Sequence, residues 1–325
     1  MTRHVLETDD LAADELVAVL DLARQPRPRP VLAGRGAALV FEKPSNRTRN
    51  ATEMAVVQLG GHPISIRGDE VGLGTRETAE DIARTLACYH AVIGARVRDH
   101  GNLERMAAAL DTSGTAVPLI NLLSDKAHPC QALADLLTMQ EVLGGLQGRT
   151  LAWVGDANNV CRSLLLGGAL AGMRMRVASP PAFSLDAGDA DRVVSLGGDL
   201  ELVDSPELAA DGADAVHTDV WVSMGQETEA AARRRAFDGF TVDEALMARA
   251  APDAVVLHCL PARRGEEIAA SVVDGPRSAV WRQAENRLHA ARGLLLWLLD
   301  TTTDGAPSSP AAEPSGAAGT ARTGR

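Results

Sequence analysis

Nine short apolar runs alternate with segments of helical periodicity along this chain, and this alternation constrains the fold more than any other feature. The runs predict strands at residues 37–41, 63–66, 91–95, 116–122, 151–154, 175–178, 200–203, 215–218 and 254–258. Strand–helix alternation of this kind predicts parallel α/β sheets that carry helices on both faces.

A glycine-rich stretch at 144–148 interrupts the alternation, which then resumes. The length of 325 residues suits two domains of about 150 residues each. We therefore predict two doubly wound parallel-sheet domains joined by helices. We place the first at 1–145, beginning with a helix at 8–22, and the second at 146–300. The segment 275–299 predicts a closing helix that packs back on the first domain. Residues 301–325, rich in Ser, Pro, Gly and Ala, predict a disordered tail.

Charge and composition argue against several classes of function. A net charge of -11 is unlike that of a nucleic-acid binder, although a local arginine cluster can still hold an anion. No apolar run reaches the length of a bilayer span, and the N-terminus lacks the basic and apolar regions of a signal peptide. The four cysteines lie far apart without a C-x-x-C pair, which predicts reduced thiols and a cytoplasmic location.

The stretch 41–50, Phe-Glu-Lys-Pro-Ser-Asn-Arg-Thr-Arg-Asn, lies where a predicted strand turns into a helix. Free backbone N–H groups and the positive end of the helix dipole collect at such a position. Ser45 and Thr48 add hydroxyl groups, and Arg47 adds a planar guanidinium fork. The pattern predicts a phosphate site; the alternative is an ordinary helix cap with solvated arginines.

Two further polar clusters follow strands in the first half. Arg96 comes directly after the strand 91–95, where a solvated loop arginine is the alternative. His128 and Gln131 are three apart at a helix start, so both can reach one ligand carbonyl. The alternative there is a capping histidine beside a core cysteine, Cys130. The His-x-Cys spacing does not predict zinc, because no matching second pair exists.

The second half contributes three more clusters. The turn 154–159, Val-Gly-Asp-Ala-Asn-Asn, lacks the third glycine and the later carboxylate of a dinucleotide-binding fingerprint, so we expect it to bind another ligand through an asparagine amide. The others are 219–227, Asp-Val-Trp-Val-Ser-Met-Gly-Gln-Glu, and 258–261, His-Cys-Leu-Pro. Ligands of parallel sheets bind beyond the carboxyl ends of the strands, which is where these clusters fall.

With these motifs, in this order and followed by Glu285-Asn286-Arg287, the chain resembles the aspartate/ornithine carbamoyltransferase family from about residue 6 to residue 299. The segment after Asp219 is similar to that of the ornithine branch. The resemblance implies an active site in the interdomain cleft, a homotrimer or a multiple of trimers, and no metal or cofactor. It implies no nucleic-acid or membrane partner.

The resemblance also implies roles for individual residues. It places the phosphate of carbamoyl phosphate on Ser45, Asn46, Arg47, Thr48 and Arg96. The carbamoyl end would meet His128, Gln131, Arg287 and the carbonyl groups of Cys259 and Leu260. L-Ornithine would be held by Asn159, Asp219, Ser223 and Met224. The residues expected to take part in catalysis are Arg96, His128, Asp219 and Cys259.

The implied reaction converts carbamoyl phosphate and L-ornithine to L-citrulline and phosphate, a step of arginine biosynthesis. An amine with an ordinary pKa of about 10.4 is protonated at neutral pH, and Asp219 and Cys259 are candidates to help it lose a proton. Arg96, Thr48 and His128 are candidates to stabilise the oxyanion that forms on attack. The departing phosphate can accept a proton itself.

The chain departs from the family pattern at Asn46, Asn50, Val97 and Gly72. Gly72 stands where the family has a glutamine that reaches the neighbouring subunit's site, and Arg76 of the same loop is a candidate replacement. Two alternatives therefore stay open: a carbamoyltransferase for another ω-amino acid in a specialised pathway, and a non-catalytic paralogue.

Overall fold

The computed structural model describes residues 2–223 and 227–301. The predicted tail and Met224 lie outside these residues, except that the last helix ends at Thr301. The first sheet is parallel, with the order β2-β1-β3-β4; its strands are β1 (Gly36–Phe41), β2 (His62–Arg67), β3 (Val92–Arg96) and β4 (Leu119–Leu123). The second is parallel, with the order β7-β6-β5-β8-β9; its strands are β5 (Thr150–Val154), β6 (Arg174–Ala178), β7 (Asp199–Val203), β8 (Ala215–Thr218) and β9 (Val255–His258).

Helices connect these strands. They are α1 (Ala13–Ala23), α2 (Arg47–Gln58), α3 (Gly68–Val71), α4 (Ala79–Ala87), α5 (His100–Thr112), α6 (Pro129–Leu143), α7 (Asn159–Leu170), α8 (Ala187–Ser195), α9 (Pro206–Ala210), α10 (Ala230–Ala236), α11 (Glu244–Met247), α12 (Ala270–Val273) and α13 (Val280–Thr301). Short 3-10 turns lie at Thr8–Asp10, Pro181–Phe183 and Glu227–Glu229. Within the described residues, no helix combines the length and the apolar character that a membrane crossing requires.

The predicted fold class is confirmed, and all nine predicted strands are present. The fourth strand begins at Leu119 instead of residue 116 because Pro118 has no N–H to donate to a ladder, although its carbonyl accepts from the Ile93 N–H at 3.0 Å. The domain limits stay a prediction.

The single helix predicted at 8–22 is wrong. A 3-10 turn at Thr8–Asp10 is followed by extended backbone at Leu11, and α1 begins only at Ala13. The Asp10 carboxylate accepts from the N–H groups of Leu6 at 2.6 Å and Glu7 at 2.8 Å. Local side-chain caps of this kind compete with a continuous helix.

The last helix, α13, lies against α1 without room for a side chain between them. A Cβ added at Gly293 would lie 2.5 Å from the Val19 carbonyl oxygen and 2.7 Å from the Ala23 nitrogen. The neighbouring Arg292 donates to the Ala23 carbonyl at 2.7 Å and to Gln58 of α2 at 2.9 Å. The C-terminal end of the described chain is thereby fastened to its N-terminal helices.

The strand order reverses between β1 and β3 in the first sheet and between β5 and β8 in the second. Parallel sheets bind ligands at such reversals, beyond the carboxyl ends of the strands. Arg96 is the last residue of β3, and the segments that follow the other three strands contain Ser45–Thr48, Asn158 and Asp219.

A buried carboxylate, Glu7, ties the N-terminal segment to helices of the second sheet. It pairs with Arg162 of α7, with Arg192 of α8 at 3.0 Å and with Lys126 at 3.0 Å. Burial alone would raise the pKa of Glu7, but these hydrogen bonds and charges lower it from 4.5 to about 2. A carboxylate whose pKa is lowered on folding adds stability above its unfolded pKa.

We therefore expect Glu7→Gln to lower the free energy of unfolding at neutral pH by about 3 kcal/mol. The wild-type advantage should be complete above pH 4.5 and should disappear as the pH falls toward about 2, because both forms are then uncharged at this position. Urea unfolding at a series of pH values measures it. Glu104→Gln, which removes an exposed carboxylate near His100, is the control with an effect below about 1 kcal/mol. Parallel pH curves for wild type and Glu7→Gln would contradict the assignment.

Candidate active site

The turn after β1 presents an uncapped helix N-terminus. Asn46 precedes α2 in helical conformation, and its side chain caps no backbone N–H. Its side-chain oxygen instead accepts from Asn50 at 3.1 Å, so the two unusual asparagines of this motif contact each other. The alternative of an ordinary side-chain cap is therefore wrong for Asn46, and the amide groups of the first turn remain available for an anion.

Three arginines gather beside this turn without a carboxylate. Arg96 and Arg287 are buried, Arg47 is half-buried, and none of them pairs with an acidic side chain in the described parts of the chain. Burial, and then the charges of Arg287 and Arg47, lower the pKa of Arg96 to about 10. Uncompensated positive charge in a buried place is stabilised by an anionic ligand.

His128 is held neutral in the same cluster. Its pKa lies well below 6.5 because of burial and the charges of Arg287, Arg96 and Arg47. The buried His128 Nδ1 and Arg96 Nε atoms have no hydrogen-bond partner among the described residues. Both can therefore serve a bound ligand.

Contacts between side chains join the first turn of α2 to α6 and α13. Arg287 donates to the Thr48 hydroxyl at 2.9 Å and also to the Gln131 side-chain oxygen. The His128 N–H donates to Ser163 of α7 at 2.8 Å, which joins the site to the second sheet. Cys130, by contrast, is a core thiol whose pKa burial raises to about 11.

The other wall of the site is built around Asp219, directly after β8. This carboxylate is buried and accepts from the Cys259 thiol at 2.8 Å and from the Asn158 amide at 2.8 Å. Burial, and then the Asp219 charge, raise the pKa of Cys259 well above 9. Cys259 is therefore a thiol that donates, and the Asp219 carboxylate is its acceptor.

The structure separates the two asparagines of the turn after β5. Asn158 caps α7 and contacts Asp219, whereas Asn159 donates to the Ser124 carbonyl across the cleft at 2.6 Å. The sequence analysis named Asn159 and did not name Asn158. The preference of asparagine for the position before a helix could have identified it.

Arg233 of α10 is a second residue that the sequence analysis missed. It pairs with Asp156, donates to the Trp221 carbonyl, and lies 4.4 Å from the centre of the Phe183 ring. Burial raises the pKa of Asp156 to about 6 even though Arg233 pairs with it. Arg233 of α10 thereby holds Trp221, which precedes the half-buried Ser223 in the chain.

The turn after β9 is locally constrained. Leu260 has a φ of 60°, which is uncommon for a residue with a side chain, and its N–H donates to His258 Nδ1 at 2.9 Å. His258 Nε2 contacts the buried Glu267 at 3.0 Å. Asp219, His258 and Cys259 bring one possible metal-ligand atom each within 4.8 Å of one another, but these atoms already have protein partners.

The two walls face each other closely enough for their charges to interact. The charge of Arg287 lowers the pKa of Cys259, which burial and Asp219 raise. Of the sequence-predicted residues, six form one polar cluster in the first wall: Arg47, Thr48, Arg96, His128, Gln131 and Arg287. Asp219 and Cys259 form the second wall, with Leu260 beside them, while Ser45 is half-buried and Asn46 exposed at the α2 turn.

Comparison with known proteins decides the family. The family model for the aspartate/ornithine carbamoyltransferase carbamoyl-P binding domain matches residues 3–141, and the one for the Asp/Orn binding domain matches residues 147–298. The chain belongs to the aspartate/ornithine carbamoyltransferase family. It is therefore a carbamoyltransferase, an enzyme of the transferase class.

Several relatives are similar over almost their full length. The ornithine carbamoyltransferase of Acidothermus cellulolyticus is 52% identical over 311 residues, which cover 92% of this chain and 97% of the relative. That of Parafrankia is 50% identical over 319 residues, covering 94% and 99%. The solved structure of the Pyrococcus furiosus ornithine carbamoyltransferase matches with a TM-score of 0.85 at 41% identity, covering 90% of this chain and 96% of that one.

The loop that departs from the family pattern has a backbone suited to glycine. Gly72 has a φ of 65°, and a Cβ added there would lie 2.7 Å from the Arg76 Cβ. The Arg76 guanidinium donates to the Glu70 carbonyl of the same loop. Placing the family's glutamine at this position therefore requires the loop to rearrange.

Proposed function

We propose that this carbamoyltransferase transfers the carbamoyl group of carbamoyl phosphate to the δ-amine of L-ornithine, giving L-citrulline and phosphate in arginine biosynthesis. The observation that carries the proposal is the cluster of Arg47, Arg96 and Arg287, unpaired within the described chain, facing the Asp219–Cys259 pair. An anionic donor fits the first wall, and a cationic amino acid fits the second.

The phosphate of the donor is assigned to the first turn of α2. Its N–H groups, the Ser45 and Thr48 hydroxyls and the guanidinium groups of Arg47 and Arg96 supply donors from several directions. Asn46 contributes its backbone amide, since its side chain contacts Asn50. The excess positive charge in the cluster is then neutralised by the bound dianion.

The carbamoyl end is assigned to His128, Gln131 and Arg287, with the Cys259–Leu260 turn receiving the carbamoyl NH2 group. The δ-ammonium of ornithine first releases one proton to solvent, and its nitrogen lone pair then attacks the carbamoyl carbon and forms a tetrahedral oxyanion. Neutral His128, Arg96 and Thr48 donate to that oxygen. The C–O bond to phosphate then breaks, and the phosphate leaves with the electron pair and takes a second proton from the attacking nitrogen.

The amino acid is assigned to the wall around Asp219. No lysine or arginine of the described chain pairs with this buried carboxylate, which therefore suits the α-ammonium of ornithine. Asn159, Ser223 and Met224 are proposed to bind the rest of the amino-acid group. We place the reaction in the cytoplasm, which agrees with four cysteines that are all free thiols.

The direct test uses the purified full chain with carbamoyl phosphate and a panel of amines: L-ornithine, L-lysine, putrescine and 5-aminopentanoate. Phosphate release and the carbamoylated product are followed together. Citrulline formation that exceeds every other product supports the proposal. Release of phosphate only with another ω-amino acid would replace ornithine as the acceptor, and no transfer to any amine would indicate a non-catalytic paralogue.

We also propose a homotrimer or a multiple of it. The first sheet ends in the edge strand β2, and exposed apolar side chains lie on β2 and on its neighbour α2: Ile64, Met54 and Val57. Exposed apolar side chains on adjacent elements are suited to contact with another copy.

Light scattering should give three times the chain mass of 34.1 kDa, or a multiple of that value. Val57→Glu should shift the mass toward one chain, because a carboxylate would be buried in the contact. Val194→Glu, at an equally exposed valine of α8, should leave it unchanged. A wild-type monomer with full activity would contradict shared sites between subunits.

A further inference from the structure

A chain of buried side chains runs from the proposed phosphate site to the turn after β9, and its middle members have no assigned role. Asp135 is fully buried one helical turn after Gln131 on α6, and its Oδ1 accepts from the Gln131 amide at 2.7 Å. The same Oδ1 accepts from the Gln283 amide of α13 at 2.6 Å. One carboxylate oxygen therefore holds two glutamines that come from different helices.

Gln283 links Asp135 to the second sheet by hydrogen bonds. Its side-chain oxygen accepts from the His258 N–H at 2.8 Å, at the end of β9. The His258 ring then accepts from the Leu260 N–H at 2.9 Å. The amide nitrogen of Gln283 thus reaches Asp135 and also lies 3.1 Å from His217 Nε2 of β8, while its oxygen accepts at the start of the Cys259–Leu260 turn.

The other end of the chain reaches the phosphate side. Gln131 accepts from Arg287, and Arg287 donates to Thr48 at 2.9 Å. Gln283 and Arg287 are four apart on α13 and so lie on one face of that helix. Gln131 and Arg287 meet the carbamoyl end in the proposed function, whereas Asp135 and Gln283 lie one step behind them.

We propose that Asp135 and Gln283 are positioning residues that keep Gln131 and the Cys259–Leu260 turn at one fixed separation across the cleft. This inference rests on the proposed carbamoyl site. Both walls can contact the carbamoyl group at once only when that separation is correct. A misplacement of about 1 Å among groups that contact the substrate can cost about 100-fold in rate. The two side chains have different hydrogen-bonding roles: the Asp135 carboxylate on α6 accepts, and the Gln283 amide on α13 both donates and accepts.

Two single variants change the functional groups of this pair. Gln283→Glu places two carboxylates in contact, and Asp135→Asn removes the charge that both glutamine amides contact. We expect kcat to fall by about 10–100-fold in each variant.

A second variant separates positioning from general stability. Gln283→Met leaves the phosphate donors in place, so the inhibition constant of inorganic phosphate should change by less than about threefold while kcat falls by about tenfold or more. Thr138→Val is the matched control, because the Thr138 hydroxyl accepts from Asn286 at 3.0 Å between the same two helices. It should lower the unfolding midpoint without changing kcat more than about twofold.

Three results would overturn the inference: Asp135→Asn and Gln283→Glu enzymes that both keep wild-type kcat, a Gln283→Met enzyme with wild-type kcat, or a Thr138→Val enzyme that loses as much kcat. Failure of the proposed function looks different, since the wild-type chain would then not form citrulline at all.

Discussion

Arg96→Ala should lower kcat/KM for carbamoyl phosphate by about 1,000-fold. Its guanidinium is buried beside the first turn of α2 and pairs with no carboxylate in the described residues, so its charge is available to the ligand. Removal of a single donor to a developing oxyanion costs about 100–1,000-fold, and Arg96 is also a proposed phosphate ligand. Steady-state kinetics with ornithine saturating measures the loss.

Arg96→Ala should lower the unfolding free energy of the ligand-free enzyme by less than the loss of its packing contacts alone would. Arg287 and Arg47 already repel Arg96 and help to lower its pKa to about 10. Taking away one of three like charges relieves that repulsion, and it should also raise the pKa of His128 toward 6.5. NMR titration of the histidine and thermal unfolding without ligand check these two consequences.

Arg98→Ala is the matched control, since Arg98 is an exposed arginine two residues away. It should keep kcat/KM within about twofold. An Arg96→Ala enzyme with near-native kcat/KM would remove Arg96 from the phosphate site. Equal losses in the two variants would show that the loop, and not the Arg96 charge, is what matters.

Most of the strands were predictable because they are short, mainly apolar runs that end at a turn. Val92–Arg96 and Thr150–Val154, for example, are buried along their whole length, as parallel strands between two helical layers are. The polar clusters were predictable for a related reason, because parallel strands deliver the residues that follow them to one edge of the sheet.

Side-chain direction within a turn was not predictable in the same way. Asn158 and Asn159 are adjacent and identical in type, yet one contacts Asp219 and the other Ser124. Only their positions at the start of α7 distinguish them, and the preference of asparagine for the residue before a helix is the one local signal for Asn158. The break at Leu11 had the same kind of cause, since local carboxylate caps overrode the apolar periodicity.

Contacts over long sequence separation were also beyond the sequence. Asp135 and Gln283 are 148 residues apart, and Arg233 is 77 residues from Asp156. No local pattern marks such pairs, because each member is an ordinary polar residue in its own segment. Their importance follows only from burial and from the partners that the fold brings to them.

L-Ornithine should be preferred over both of its truncated analogues by about 10,000-fold in kcat/KM. Putrescine lacks the α-carboxylate, and 5-aminopentanoate lacks the α-ammonium, while both retain the reacting amine. A site built to hydrogen-bond a polar group rejects an analogue without it by about 10,000-fold or more, because buried protein groups are left unpaired. Phosphate release at subsaturating amine concentrations measures the ratios.

Asp219→Asn should weaken the preference for ornithine over 5-aminopentanoate but not the preference over putrescine. Asp219 is buried, has no lysine or arginine partner in the described chain, and is the group proposed for the α-ammonium. Its neutralisation should reduce kcat/KM for ornithine and shrink the preference over 5-aminopentanoate to about 100–1,000-fold, because a charged hydrogen bond of about 1.5–3 kcal/mol is replaced by a neutral one. The preference over putrescine should persist, since the carboxylate contacts are untouched.

If wild-type enzyme used putrescine and ornithine equally well, the assignment of an α-amino acid to this wall would be wrong. If Asp219→Asn weakened both preferences alike, the residue would act on the reacting amine instead of the α-ammonium.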